Sequence, residues 1–156
     1  MIDWTGLANI WLPPSEAVLT QFAEANPEFV VDNINVHFYI QDGDPSISLV
    51  INYHLDDEET LEVTEDLEGP WKSMRRTIGA LVEEQAEYAP DDGVSEAIGR
   101  FAIAVADLRD RIACSTTVEQ LTRSPNFEVV LRDEFGFDLG ADLIAEMREE
   151  LTTNDG

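Results

Sequence analysis

Cysteine, histidine and lysine are scarce in this chain, and each scarcity removes a class of chemistry. Cys114 is the single cysteine, so no intrachain disulfide can form. That suits a reducing compartment and argues against a small disulfide-stapled secreted domain. The chain has two histidines, His37 and His54, and one lysine, Lys72, beside eight arginines. No His-Glu-x-x-His, cysteine pair or Gly-x-Ser-x-Gly elbow occurs, and neither a phosphate-binding loop nor a dinucleotide glycine pattern is present. Nucleophilic, zinc and nucleotide chemistry therefore have no sequence support. Apolar runs of 18 residues, long enough to span a bilayer, are also missing. The start, Met1-Ile2-Asp3-Trp4, lacks the basic segment and apolar core of a signal peptide.

What the chain has is acid. Across 156 residues, 33 Asp and Glu face 9 Lys and Arg, a formal net charge of -24. The two halves are equally negative, so the charge is not a tail. At 44% hydrophobic, with seven Phe and three Trp, the sequence has the apolar content of a folded core rather than of a disordered acidic segment. A compact chain of this length has a radius of gyration of about 15 Å. The Debye length at moderate salt is about 8–10 Å, so the surface presents a continuous negative field. Such a surface repels nucleic acid and anionic lipid, whose binding depends on Lys and Arg neutralising phosphates. Duplex DNA carries one charge per roughly 1.7 Å, so the excess charge matches roughly 40 Å of duplex.

Organisation follows from periodicity. Asp3 caps a first short helix to Leu12, which Pro13-Pro14 ends; Ser15 caps a second, with Val18, Leu19 and Phe22 on its apolar stripe. Ile34–Gln41 and Ser46–Leu55 alternate strictly, joined by the turn residues Asp42-Gly43-Asp44-Pro45. Pairing Ile40 with Ile47, Phe38 with Leu49 and Val36 with Ile51 puts every apolar side chain on one face. A third strand is expected at Thr60–Thr64. Helices are expected from Pro70, over about Val94–Ala113 with its Ile98, Phe101, Val105, Leu108 and Ile112 stripe, and at Thr116, where Glu119 completes a capping box. Another is expected after Ser124-Pro125, although Phe127–Leu131 also suits a strand, and a last one over Ala141–Leu151. The fold expected is α+β: a three-stranded antiparallel meander (about 29–65), two short helices before it, and about five helices after it on one sheet face. Residues 1–151 form one domain, with 152–156 a flexible tail.

In that hairpin His37 and His54 lie about 13 Å apart, too far for one metal ion. No cofactor, metal ligand or catalytic residue is assigned. The densest feature is Asp56, Asp57, Glu58, Glu59, Glu62, Glu65, Asp66 and Glu68: eight acids in thirteen residues without a base. Leu61 and Val63 anchor it to an ordered edge strand, so it reads as a rigid row of carboxylates as well as a charge-protected edge. Acids of the last helix, Asp142, Glu146, Glu149 and Glu150, form a second candidate surface. Lys72, Arg75 and Arg76 begin the next helix, and an internal pairing role is expected for them. Trp4 and Trp11 read as core.

These features favour a non-enzymatic, strongly acidic binding protein that engages a cationic protein surface. A nucleic-acid-mimicking inhibitor of the phage anti-defence or toxin-immunity type has this physics, acting in the cytoplasm on a nuclease or other nucleic-acid-binding protein. The alternative is a structural or assembly subunit, such as a virion component, from a high-salt environment, where acidity serves solvation. Direct contact with nucleic acid or membrane is not expected on either reading.

Overall fold

A computed structural model of the chain describes residues 2–41, 44–56, 59–67, 71–86, 96–133 and 149. The fold is α+β, with four strands in one mixed sheet and helices gathered against it. A 3-10 turn, Trp4–Gly6, leads into α1 (Leu7–Ala25). Then come β1 (Val30–Gln41), β2 (Asp44–His54), β3 (Leu61–Asp66), α2 (Lys72–Ala86), α3 (Glu96–Ala113), α4 (Thr116–Glu119) and β4 (Arg123–Asp133). The sheet order is β3-β2-β1-β4, with β1, β2 and β3 antiparallel in sequence and β4 parallel to β1.

Asp3 does cap the first turn, its carboxylate accepting from the Gly6 amide at 3.1 Å. The two expected N-terminal helices are, however, one. Pro13 and Pro14 lie inside α1 on its wetter side, where the carbonyls they leave unbonded can meet water. Ser15, expected as a cap, is fully buried, and its hydroxyl donates to the Trp11 carbonyl at 2.8 Å. That bond supports the ladder at the proline pair.

The meander is present, but the hairpin register differs from expectation by two residues. Phe38 pairs with Ile47, Val36 with Leu49 and Ile34 with Ile51, and the pairing closes with Gln41 opposite Asp44. A two-residue slip keeps every side chain on its own face, so the predicted inward set is preserved. A further correction is β4, a fourth strand where a helix was expected. Ser124-Pro125 does not open a helix; Phe127, Val129 and Leu131 alternate inward beside β1. The capping box expected at Thr116 and Glu119 is not formed: Ser115 is the cap, its hydroxyl accepting from the Val118 amide, and Val118 in the third helical position has no side-chain acceptor to return the bond. The expected helix over 141–151 lies outside the described residues apart from Glu149, which is helical.

One core joins the helices to the inward sheet face. Phe101 of α3 sits among aromatic rings, 5.9 Å from Trp11, 5.8 Å from Trp71 and 6.0 Å from Phe38 between ring centroids. Ala97, Ala102, Ala104 and Ala106 of α3 are all buried, the small side chains allowing its neighbours to approach closely. Trp11 is fully buried and the half-buried Trp4 packs against the core, in keeping with their reading as core residues.

Candidate functional site

β3 exists because Leu61 and Val63 alternate with polar residues and find partners on β2: Leu61 faces Tyr53, Val63 faces Ile51, and Glu65 faces Leu49. The interleaved residues fall on the opposite face, Glu62 beside Asn52, Thr64 beside Val50 and Asp66 beside Ser48. The acidic row is thereby divided. Glu62 and Asp66 stand on the face opposite the one that Phe38, Leu49 and Ile51 bury in the core, about 13 Å apart along the strand, while Glu65 shares the face of Leu49. The sequence suggested a single row; strand alternation makes it two.

Glu59, Glu62, Glu65 and Asp66 are exposed, and among the described residues none of them forms a salt bridge. Asp56 follows β2 and is also exposed, with φ of 52°, a left-handed conformation that Asp tolerates better than most residues. Asp57, Glu58 and Glu68 lie outside the described residues, as do Asp142, Glu146 and Glu150; Glu149 is exposed. Among the described residues Leu61 is the exposed large hydrophobic side chain, at 46%. The β3 surface is therefore acidic, ordered and partly apolar.

The adjacent basic cluster is not one unit. The Arg75 Nε donates to the Pro45 carbonyl at 2.6 Å, tying α2 to the start of β2, while Lys72 and Arg76 are exposed.

The histidines are farther apart than the sequence indicated. His37 pairs with Ser48, and His54 lies six residues along β2 opposite Val30, about 20 Å away. One ion cannot bridge them. Among the described residues no group of three or more His, Cys, Asp or Glu is placed to hold a metal.

A feature the sequence reading missed lies at that end of the sheet. A register shift between Val31 and Asn33 marks a bulge at Asp32, whose carboxylate meets His54 Nδ1 at 2.8 Å. Beside it the Asn33 Oδ1 accepts from both Asn35 Nδ2 and Asn52 Nδ2 at 2.6 Å. The three asparagines share one face, since Asn33 and Asn35 are two residues apart on β1 and Asn52 pairs with Asn33. They largely satisfy one another, and Asn35 is only 6% exposed, so the cluster reads as a rigidifying polar network.

Two hollows adjoin at Leu121. One of about 180 Å³ is lined by Phe22, Phe29 and Val31 among others, and a more open one of about 400 Å³ by Arg123, Ser124, Pro125 and Phe127. Arg123, whose guanidinium carbon lies 5.7 Å from the centre of the Phe127 ring, is the single charged residue lining either among the described residues. Cys114 is exposed at the end of α3. Among the described residues no helix is long and apolar enough to cross a membrane. No protein-family model, curated protein or solved structure matches the chain.

Proposed function

We propose that this protein is a non-enzymatic acidic binding protein whose β3 border engages a cationic surface on a partner protein. The observation carrying this reading is that Glu59, Glu62, Glu65 and Asp66 are exposed carboxylates without salt-bridge partners among the described residues, held on or beside an ordered strand. Crowded like charges on a fixed element repel one another, and a cationic partner relieves that repulsion. The overall charge of -24 adds a long-range field that speeds encounter with a basic partner and disfavours phosphate chains.

A nucleic-acid-binding protein or nuclease is the partner class this field suits best, its phosphate-binding surface being occupied and so inhibited. The division of the acids between two faces limits how literal any imitation of a phosphate row is; charge density, rather than a copied spacing, supports this reading.

The test is capture of partners from the source cells at low salt, followed by measurement of the purified complex. The expected result is a basic partner whose affinity falls at least tenfold between about 50 and 300 mM NaCl. A complex indifferent to salt, or tight binding of DNA or RNA by the protein itself, overturns the reading.

A further inference from the structure

We infer that the outer edge of β3 takes up an extended basic segment of the partner as an added strand; this rests on the acidic-binding reading above. Among the described residues β3 pairs with β2 alone, and five of its six residues are exposed. In an antiparallel pair, alternate residues direct their backbone N–H and C=O away from the neighbour, so about three residues of β3 offer a free donor and acceptor outward. That row of backbone groups is a template for strand addition, and the acids only select what is added.

The division of the acids supports this docking mode over the alternatives. A partner lying on either sheet face meets only part of the set, Glu62 and Asp66 or else Glu65. A strand added at the edge is flanked by both, because its own side chains alternate in the same way. Leu61, exposed at 46%, would be covered by the same strand, which accounts for a large apolar side chain left in water beside carboxylates. A second copy of this chain does not fit, since pairing β3 with β3 opposes acid to acid. The other edge of the sheet is a poorer template: β4 contains Pro125, which has no N–H, and mixes Arg123 and Arg132 with Glu128.

The complement of Asp66-Glu65-Thr64-Val63-Glu62-Leu61, read as an antiparallel strand, is basic opposite each acid and β-branched or apolar elsewhere. The peptide Arg-Arg-Thr-Val-Arg-Val satisfies it, and it serves as the probe. Three forms are titrated into the full chain by NMR at low salt: unmodified, N-methylated at residues 1, 3 and 5, and N-methylated at residues 2, 4 and 6. Methylation removes backbone donors and leaves charge and side chains unchanged. The inference expects the unmodified peptide to bind, one methylated form to lose at least tenfold in affinity, and the other to lose little, because only one set of amides faces β3. If all three bind equally and weaken with salt, strand addition is overturned while the charge-based reading stands. If none binds at low salt, both fall.

Discussion

Asp56 is the residue where charge and backbone can be separated. Its φ of 52° is one that glycine adopts freely and β-branched residues resist. Asp56→Gly is expected to change stability by less than about 0.5 kcal/mol, while Asp56→Val destabilises by about 1–2 kcal/mol, both read from urea unfolding. Equal losses for the two variants would mean that the carboxylate itself stabilises the turn. Residue by residue, the sequence showed the Asp3 cap because that bond is local, reaching only to Gly6. It hid the role of Ser15. A serine after two prolines suits a helix start, and only burial against the core makes its hydroxyl a prop for the Trp11 carbonyl.

At the scale of elements, legibility followed the range of the interactions. Each hairpin strand was visible through alternation, yet the register was not fixed, because a shift of two leaves the same residues facing the core. β4 was ambiguous for a related reason. Phe127, Val129, Val130 and Leu131 satisfy both a strand and a helix face, and the deciding interaction is pairing with β1, which lies about a hundred residues earlier in sequence. The division of the acidic row was not read from the sequence, because the expected strand stopped at Thr64, and it is the extension of β3 to Asp66 that sets Glu65 and Asp66 on opposite faces. α3 was legible as a long helix because its stripe of Ile98, Phe101, Val105, Leu108 and Ile112 keeps helical spacing throughout. Phe101, packed against Trp11, Trp71 and Phe38, joins two helices, the segment before α2 and the sheet. Phe101→Ala is therefore expected to cost about 3–5 kcal/mol, measured by chemical denaturation. A loss below about 1 kcal/mol would show that this aromatic cluster is not the centre of the core.

Over the whole molecule, a charge of -24 on one folded chain creates self-repulsion that salt screens. Raising ionic strength from about 0.01 M to 1 M shortens the Debye length from about 30 Å to about 3 Å. The melting temperature is expected to rise by at least about 2–4 °C over that range, the shift that corresponds to about 1 kcal/mol for a chain of this size. A flat or falling melting temperature would mean that the charges are far better compensated than the composition implies. A chain that folds only in molar salt would instead assign the acidity to solvation in a saline environment. The central claim is that the position of the carboxylates matters, and not only their number. Two triple variants give its most direct measurement: Glu62→Lys with Glu65→Lys and Asp66→Lys, against Glu24→Lys with Glu83→Lys and Glu119→Lys, all exposed positions in wild type. Both make the same change in net charge. The account predicts that the β3 triple weakens binding of the captured basic partner at least tenfold more than the control triple; equal losses would contradict it.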